Sequence, residues 1–414
     1  MKMILSHVEQ AAANIQDIVI NTPLDYSERL SQKYNAEIYL KREDLQRCRS
    51  FKVRGAYNKI MTLNVQERNK GIVCASAGNH AQGVAYSCSN LNIHGVIFMP
   101  LATPLQKINR VKHFGGKYIE VITVGDTYDD AYSKAIDYCT KNGSTFIHPF
   151  NDYDVICGQA TVAKEIYQQL GNKLNIVLTP IGGGGLASGV SAYLKLKNSS
   201  TEIIGVEPNG APGMSESFKQ NSLVALKNID TFVDGAAVKN VGDLTFNICQ
   251  KNMQQIVLVP EGKVCTTMIE LYQNDGIIVE PAGALAISAL DNVKSEIKHK
   301  VVTCIISGGN NDILRYPEIM ERSLVYKGLK HYLIIEFNQK PGQLKKFVNE
   351  ALGPNDDIVR FEYMKKTNKE SGAALIGIEI SKKEDFEPLL QRLTDIGINY
   401  RVLSNKEMLY NYII

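Results

Sequence analysis

Apolar segments with the length of β-strands alternate with helical patterns over the first three quarters of the chain. Between about residues 35 and 306, helical patterns such as Tyr128–Lys141 and Thr161–Leu170 separate the strand-like segments. Those segments are Val96–Met99, Lys117–Ile122, Thr145–Ile147, Asn175–Leu178, Ile203–Val206 and Val301–Ile306. Strands that alternate with helices pair in parallel, because each connection crosses back over the sheet and leaves a helix on its face. The sequence therefore predicts an α/β fold with mostly parallel sheets.

The pattern changes at about residue 316, where a charged amphipathic segment leads to Gly328. The remaining chain follows the order strand, helix, strand, strand, helix, strand. These elements are predicted at Tyr332–Phe337, Gln343–Leu352, Ile358–Lys365, Ala374–Ile380, Glu384–Ile396 and Tyr400–Val402. The order βαββαβ is typical of a ferredoxin-like split unit. We therefore expect one domain over residues 1–320 and a second over residues 328–414.

Composition excludes several classes of protein. With 414 residues, 44% apolar and 21% charged, the chain has the composition of a globular protein. A net charge of +3 and the lack of a long basic cluster argue against nucleic-acid partners. No stretch approaches the roughly 20 apolar residues that span a bilayer, and the start of the chain lacks the apolar core of a signal peptide. The eight cysteines are scattered and the seven histidines lack metal-ligand spacing, so we expect a cytoplasmic protein without a metal site.

Four successive glycines, Gly182–Gly185, stand between the apolar strand Asn175–Leu178 and a helix that starts near Leu186. Glycines expose backbone N–H groups without a side chain in the way, and the helix adds the positive end of its dipole. This arrangement holds a phosphate group. No Gly-Lys-Ser/Thr follows, so the loop is not a Walker motif.

The same glycines also satisfy a degenerate dinucleotide-binding pattern, Gly-x-Gly-x-x-Ala, that ends at Ala187. In that pattern an acidic residue about 20 residues further on binds a ribose, and Glu207 ends the next predicted strand. The loop therefore predicts a phosphate group and leaves open which compound carries it.

Lys52 stands in the stretch Ser50–Ala56, between Phe51 and Val53 and just after a charged loop. Apolar neighbours can partly desolvate a lysine, which disfavours its charged form and leaves an amine able to attack a carbonyl. We expect a helix from about Gly55 onward. Lys52 is therefore a candidate nucleophile.

Two further loops follow predicted strands. The loop Ala75–Gly83 contains small residues and Asn79 at a strand-to-helix switch, which lets backbone N–H groups converge on an anion. Ser307 follows the β-prone run Val301–Ile306, and open α/β sheets bind their ligands at the carboxyl ends of strands. Both loops are candidate parts of one site.

In this order and at these separations, the segments resemble the fold-type II pyridoxal-phosphate enzymes, the tryptophan synthase β family. Within it they are most similar to the threonine and serine dehydratases. The matching motifs are Ser50–Ala56, Ser76–Gly83, Gly182–Gly185, Glu280–Ala284 and Ser307–Asn310. The resemblance extends from about residue 5 to the C-terminus and implies two open, mostly parallel sheets, the smaller subdomain covering roughly residues 45–150. The C-terminal unit resembles the ACT-like regulatory domain of biosynthetic threonine dehydratases, in a single copy.

The resemblance implies a role for each matched residue. Lys52 would bind pyridoxal 5′-phosphate covalently and then take the Cα proton, Asn79 would bond the ring hydroxyl, and Ser307 would meet the pyridine nitrogen. The implied cofactor-binding residues are Phe51, Lys52, Asn79, Gly182, Gly183, Gly184, Gly185, Leu186 and Ser307. The loop that would hold the substrate carboxylate consists of Ser76, Ala77, Gly78, Asn79 and His80.

The implied reaction is the deamination of L-threonine to 2-oxobutanoate and ammonia for isoleucine synthesis, with isoleucine as the inhibitor and a homotetramer as the assembly. A hydroxyl at position 307 cannot stabilise a pyridinium as a carboxylate would, which favours elimination over racemisation. Ala77 stands where the serine racemase branch has a serine base, and a methyl group has no proton to give. Racemisation is therefore disfavoured.

Other readings of the sequence explain fewer residues. A nicotinamide-dependent enzyme would use Glu207 but leaves Lys52, Asn79 and Ser307 without roles. A non-catalytic amino-acid sensor would not need Lys52 or the glycine loop. A catabolic threonine or serine dehydratase shares the motifs and differs in its regulation and substrate preference.

Overall fold

The computed structural model describes residues 3–365 and 369–404. The chain divides into two compact units, Met1–Asn311 and Asp312–Ile414. The division falls somewhat earlier than the boundary expected near residue 320, because the helix Tyr316–Tyr326 is grouped with the second unit. Residues 405–414, which the second predicted domain includes, lie outside the described residues.

The first unit contains ten strands and fourteen α-helices among its described residues. The strands are β1 Leu24–Tyr26, β2 Glu37–Arg42, β3 Ile72–Ala75, β4 Gly95–Met99, β5 Ile119–Thr123, β6 Thr145–Phe146, β7 Ile176–Pro180, β8 Glu202–Pro208, β9 Gln255–Val259 and β10 Val301–Ile306. The helices are α1 Leu5–Ile15, α2 Glu28–Tyr34, α3 Lys52–Thr62, α4 Val65–Asn69, α5 Asn79–Leu91, α6 Leu105–Gly115, α7 Tyr128–Asn142, α8 Tyr153–Leu170, α9 Gly185–Lys197, α10 Gly213–Gln220, α11 Asp243–Asn252, α12 Glu261–Asp275, α13 Pro281–Ser288 and α14 Lys294–Ile297.

Two sheets organise this unit. The larger has the order β1-β2-β10-β7-β8-β9, in which all pairs are parallel except β1 with β2. The smaller has the order β5-β4-β3-β6 and is entirely parallel. Strands β3 and β7 are buried along their whole length, as expected when helices cover both faces of a parallel sheet. The predicted α/β fold with mostly parallel sheets is confirmed.

The strand ends explain how separate loops meet. The glycine loop follows β7, Ser307 follows β10, and the loop Ser76–Gly78 follows β3. Strands β7 and β10 are neighbours in the larger sheet and run in the same direction, so their carboxyl ends lie at one edge. The helix α3 starts at Lys52, three residues earlier than expected, because Phe51 already has helical backbone angles.

A buried ion network fixes the first turn of α3. Arg54 is fully buried and makes paired hydrogen bonds to Glu43, at 2.8 Å each, and to Glu165, at 2.6 and 2.9 Å. Lys41, also fully buried, donates to Glu165 at 2.5 Å and to the carbonyl of Thr22 at 2.7 Å. Two cations and two carboxylates thus neutralise one another, and all of them except the half-buried Glu165 are buried. This network joins α3 to β2 and α8.

The second unit has an antiparallel sheet of order β12-β13-β11-β14. Its elements are α15 Tyr316–Tyr326, β11 Lys330–Asn338, α16 Gln343–Lys346, a π-helical turn Phe347–Ala351, β12 Asp357–Tyr363, β13 Ser371–Glu379, α17 Phe386–Asp395 and β14 Asn399–Val402. The core packs Leu333 and Ile376 of the sheet against Phe347 and Leu389. The predicted βαββαβ unit is confirmed, with its first helix α-helical for one turn and π-helical for the next.

Two negative findings apply to residues 3–365 and 369–404. No helix in these ranges has the length and apolarity needed to cross a bilayer. No group of histidine, cysteine or acidic side chains in these ranges has the geometry of a metal site.

Replacing Arg54 with methionine should lower the free energy of unfolding by about 3–5 kcal/mol, because Glu43 would stay buried without its partner. Urea denaturation followed by circular dichroism measures this loss. The matched control is Lys219→Met, which breaks the exposed pair between Lys219 and Glu216 and should cost about 0–1 kcal/mol. Equal losses in the two variants would contradict the role of the buried network.

Candidate active site

A cleft opens in the first unit where the loops after β7 and β10 meet the start of α3. Eight of the predicted site residues line it. They are Phe51, Lys52, Gly182, Gly183, Gly184, Gly185, Leu186 and Ser307. The loop Ser76–His80 does not line this cleft, although Asn79 is hydrogen-bonded to Glu280, which stands two residues before the cleft residue Ala282.

Lys52 is the first residue of α3 and is half-buried. Its Nζ donates a hydrogen bond to the carbonyl of Pro149 at 2.9 Å and lies 5.3 Å from the ring centre of Phe51. Burial lowers the pKa of Lys52 to about 8, against the opposing influence of Glu280. The amine has no salt bridge to any residue that the structure describes. A large fraction of it is therefore neutral at slightly basic pH.

The glycine loop has no room for side chains. A Cβ on Gly183 would lie 2.3 Å from the ring of Phe150, and one on Gly182 would lie 2.9 Å from the Cα of Ala236. Gly184 has a φ of +91°, which glycine adopts without strain. The helix α9 begins at Gly185, and the first N–H groups of a helix have no partner within it. The loop therefore presents a narrow cradle of backbone donors to the cleft.

Asn79 belongs to a chain of side-chain hydrogen bonds. Its Nδ2 donates to Glu280 at 2.6 Å, and its Oδ1 accepts from Asn310 at 2.7 Å. Burial raises the pKa of Glu280 to about 7, and the nearby charge of Asp234 raises it further while Asn79 lowers it. Glu280 directly precedes α13, and the second residue of that helix, Ala282, lines the cleft. The amide of Asn79 is thus oriented by a carboxyl group that titrates near neutrality.

Ser307 is buried, and its backbone connects two parts of the cleft. Its carbonyl accepts a hydrogen bond from the N–H of Phe51 at 3.1 Å. The next residue, Gly308, forms an isolated β-bridge with Ser50. The end of β10 therefore holds the residues just before Lys52.

In the loop after β3, Ser76, Ala77 and Gly78 are half-buried, and Ser76 Oγ accepts a hydrogen bond from the N–H of Gly78 at 3.2 Å.

Two neutral histidines lie near Lys52. The Nε2 of His80 bonds the carbonyl of Ile147 at 2.8 Å, so it carries the proton, because a carbonyl only accepts. Burial first, and then the charge of Lys52, lower the pKa of His80 to about 3 and that of His148 to about 4. His148 Nδ1 accepts from two backbone N–H groups at 3.2 and 2.8 Å.

Sequence reasoning missed the segment after β6. Its residues Pro149 and Phe150 supply the acceptor for Lys52 and the wall behind Gly183. The available signal was position, because His148–Phe150 follows the predicted strand Thr145–Ile147, which pairs in parallel with the strand before the loop Ser76–Gly78. Such strand ends collect site residues.

Comparison with known proteins identifies the family. Residues 15–308 match the model of the pyridoxal-phosphate dependent enzymes, and residues 321–413 match the C-terminal regulatory domain of threonine dehydratase. The chain belongs to the threonine dehydratase family of pyridoxal-phosphate-dependent enzymes. The predicted family and cofactor are confirmed.

Relatives match the enzyme over nearly its whole length. The chain is 53% identical to a Halalkalibacterium halodurans protein named L-threonine dehydratase biosynthetic IlvA, over 98% of this chain and 97% of that one. It is 50% identical to the Bacillus subtilis protein of the same name, over 99% and 97%. Among solved structures, the processed threonine deaminase isoform 2 of Solanum lycopersicum aligns with a TM-score of 0.73 and 39% identity, over 78% of this chain and 95% of that one. Maize serine racemase has a TM-score of 0.73 and 29% identity, over 79% and 99%.

Pyridoxal phosphate fits the residues of the cleft. Its phosphate requires clustered donors without side chains, and the glycine loop, where a Cβ would collide with Phe150, offers them. Its aldehyde requires a neutral amine, and the amine of Lys52 lies in the same cleft without a carboxylate partner among the described residues.

The lowered pKa of Lys52 predicts a distinctive labelling profile. Reductive methylation of the apoenzyme should modify Lys52 with a midpoint near pH 8, whereas a lysine in water has a pKa of about 10.4. Peptide mass spectrometry after labelling at several pH values measures the midpoint for each lysine. Lys141, which is exposed, is the internal control. The same pH midpoint for Lys52 and Lys141 would show that the Lys52 amine is not desolvated.

Proposed function

We propose that the enzyme converts L-threonine to 2-oxobutanoate and ammonia, the first step of isoleucine biosynthesis. The single observation that carries this proposal is the desolvated amine of Lys52 beside a four-glycine cradle in one cleft. The names of the full-length relatives support threonine as the substrate. The eight free cysteines, seven of them buried, support a reducing cytoplasm as the compartment.

In this proposal Lys52 has two tasks. Its neutral amine binds the cofactor covalently, and after the substrate amine displaces it, the free amine removes the Cα proton of threonine. A base with a pKa near 8 is well matched to that transfer. Pyridoxal phosphate, when bound, supplies the electron sink that stabilises the resulting carbanion. The carbonyl of Pro149, 2.9 Å from Nζ, holds the amine in place between the two tasks.

The phosphate would be held by backbone N–H groups of Gly182, Gly183, Gly184, Gly185 and Leu186, with Phe51 beside it in the cleft. Helix α9 begins within this loop, and its dipole favours the negative charge. The loop thus fixes one end of the cofactor and leaves its ring free to be oriented by other residues.

Two neutral groups would orient the ring. Asn79 would donate a hydrogen bond to the ring hydroxyl, and the Ser307 hydroxyl would meet the pyridine nitrogen. Because a hydroxyl does not stabilise a positive charge there, less electron density would move into the ring. This would favour loss of the β-hydroxyl group of threonine as water, and hydrolysis of the unsaturated product would give the oxo acid and ammonia.

The substrate carboxylate would be held by the loop Ser76, Ala77, Gly78, Asn79 and His80, at the start of α5. Helix N-termini bind carboxylates through free N–H groups and the dipole. Ala77 offers a methyl group rather than a proton donor on this side of the substrate. This observation favours elimination over the racemisation named for the maize relative.

We extend the proposal to regulation. The second unit matches a regulatory domain, so an effector acts on the enzyme, and we propose that the effector is L-isoleucine and that the assembly is a homotetramer. Isoleucine is the end product of the pathway that this reaction would start. Inhibition of the enzyme by isoleucine would lower threonine consumption when isoleucine is abundant.

Replacing Lys52 with alanine tests the function. We expect formation of 2-oxobutanoate from threonine to fall by at least about 10³-fold, because both the covalent attachment and the proton transfer are lost. Borohydride reduction followed by mass spectrometry should find the pyridoxyl group on Lys52 of the wild type and nowhere in the variant. The exposed Lys70, changed to alanine, is the control and should keep both activity and label. A Lys52→Ala enzyme with normal turnover would overturn the proposal.

Ending the chain after Lys327 tests the regulation. The first unit has its own core, so the truncated enzyme should still deaminate threonine. The isoleucine concentration for half inhibition should rise by at least about tenfold, a change within the usual range of allosteric coupling. A ketoacid assay over a series of isoleucine concentrations measures it, with D-isoleucine as the control ligand. Undiminished inhibition in the truncated enzyme would place the effector site in the first unit.

A further inference from the structure

A threonine of helix α11 is bonded to the glycine loop from outside the cleft. Thr245 is the third residue of α11 and is fully buried. Its Oγ1 donates a hydrogen bond to the carbonyl of Gly183 at 2.6 Å. The hydroxyl has one proton, and the only other acceptor recorded for it among the described residues, the carbonyl of Gly242, lies farther away at 3.0 Å. The carbonyl of Gly183 is therefore the favoured partner of this hydroxyl.

The carbonyl of Gly183 is held on the side of the loop that faces α11. It also lies 3.4 Å from the N–H of Gly242, which donates to it. Among the described residues, those that line the cleft include Gly183 and Gly184 but neither Gly242 nor Thr245. The carbonyl thus points away from the cleft and toward α11.

The direction of this carbonyl fixes the direction of the next N–H. The peptide bond between Gly183 and Gly184 is trans, so the oxygen of the first residue and the amide hydrogen of the second point in opposite directions. With its carbonyl bound to Thr245, this peptide directs the N–H of Gly184 away from α11. In the described part of the chain, no residue accepts a hydrogen bond from that N–H. It is therefore a donor available to a ligand in the cleft.

Glycines on both sides allow this peptide to turn over. A half-turn changes ψ of Gly183 and φ of Gly184, and neither residue has a Cβ to oppose the new angles. The turned peptide would direct a carbonyl oxygen, rather than an N–H, toward the cleft. The partial negative charge of that oxygen would repel the phosphate that an N–H binds. The bond that holds the carbonyl therefore decides whether this part of the loop attracts or repels an anion.

Buried side chains pack directly against the same peptide. A Cβ on Gly184 would lie 2.8 Å from Cβ of Thr245 and 2.8 Å from Cε of Met214. The main chain of Met214 is held in turn, because its N–H donates to the buried carboxylate of Glu207 at 2.8 Å. The loop therefore lies against the starts of α10 and α11.

The start of α11 is anchored to the segment after β6. The Oδ1 of Asn151 accepts a hydrogen bond from the N–H of Leu244 at 3.1 Å. The same segment contains Pro149, whose carbonyl accepts from Lys52 at 2.9 Å. Thr245 therefore presents its hydroxyl from a helix end that is tied to the surroundings of the reactive amine.

We propose that Thr245 is a positioning residue for the phosphate of the cofactor. Its hydroxyl holds the carbonyl of Gly183 toward α11 and thereby keeps the N–H of Gly184 directed at the phosphate. The inference rests on the proposed function, in which the glycine loop holds the phosphate of pyridoxal phosphate. Thr245 does not line the cleft, so it acts through the loop. Loss of its hydroxyl should weaken binding of the phosphate end of the cofactor and leave binding of the aldehyde end unchanged.

Comparison of pyridoxal 5′-phosphate with pyridoxal tests this role. Both compounds offer the same aldehyde to Lys52 and differ in the phosphate group. Titration of the full-length apoenzyme with each compound, followed by absorbance, gives two dissociation constants. Thr245→Val replaces the hydroxyl with a methyl group of similar size. We expect it to raise the constant for pyridoxal 5′-phosphate by about three- to tenfold, the range for one neutral hydrogen bond, and that for pyridoxal by less than about twofold.

Matched variants separate the hydrogen bond from a general structural effect. Thr245→Ser keeps a hydroxyl and should bind both compounds as the wild type does. Thr245→Ala lacks the hydroxyl without adding bulk and should show the same selective loss as Thr245→Val. The control is Thr267→Val, because Thr267 is also buried and donates to a carbonyl of its own helix, that of Lys263 at 3.0 Å. This control should leave both dissociation constants unchanged.

Phosphorus NMR of the holoenzyme gives an independent measurement. The resonance of the bound cofactor should shift in Thr245→Val and Thr245→Ala and should keep its wild-type position in Thr245→Ser. The inference is overturned if Thr245→Val and Thr245→Ala bind pyridoxal 5′-phosphate as the wild type does, or if their affinity for pyridoxal falls by the same factor. A selective loss in Thr267→Val or Thr245→Ser would overturn it as well. A wild-type enzyme that binds pyridoxal 5′-phosphate without attachment to Lys52 would instead contradict the proposed function.

Discussion

The ion network around Arg54 is the interaction on which the position of the reactive amine depends. Arg54 follows Lys52 by two residues in α3, and its guanidinium is held by carboxylates from two other elements, Glu43 after β2 and Glu165 in α8. A helix bonded in this way cannot rotate or slide without separating buried charges, which is costly where water does not replace the lost partner. The first turn of α3, and with it Lys52, is therefore fixed from beneath.

The basic side chains on the two sides of α3 have opposite electrostatic surroundings. Beneath the helix, Glu43 and Glu165 raise the pKa of Arg54 despite its burial, and Lys41 is ion-paired with Glu165 although burial lowers its pKa. In the cleft, Lys52 has only a carbonyl and an aromatic ring beside it, so desolvation dominates and its pKa falls. The neighbouring His80 stays neutral at physiological pH, since burial and Lys52 both oppose its charge. The paired charges provide rigidity, and the unpaired amine provides reactivity.

The sequence predicted those parts of the molecule that depend on local pattern. Strand and helix periodicity predicted mostly parallel sheets, and the loops after β7 and β10 lie at one edge because neighbouring parallel strands end there. The contacts that fix α3 depend on residues far apart in the chain, since Arg54 and Glu165 are separated by 111 positions. Nothing in the local pattern distinguishes Glu165 from a solvated acid.

Glu207 shows how a structure resolves a motif that two families share. The glycine loop and an acidic residue after the next strand are compatible with a ribose-binding site, in which the carboxylate faces a ligand. Here Glu207 is 1% exposed, and its two oxygens accept hydrogen bonds from the N–H groups of Met214 and Ser215, each at 2.8 Å. Both oxygens stabilise the start of α10, where a carboxylate is favoured by unpaired donors and by the helix dipole. The acid that the dinucleotide pattern requires is thus part of the scaffold, and the glycine loop is left to serve a ligand that needs a phosphate cradle and a nearby amine.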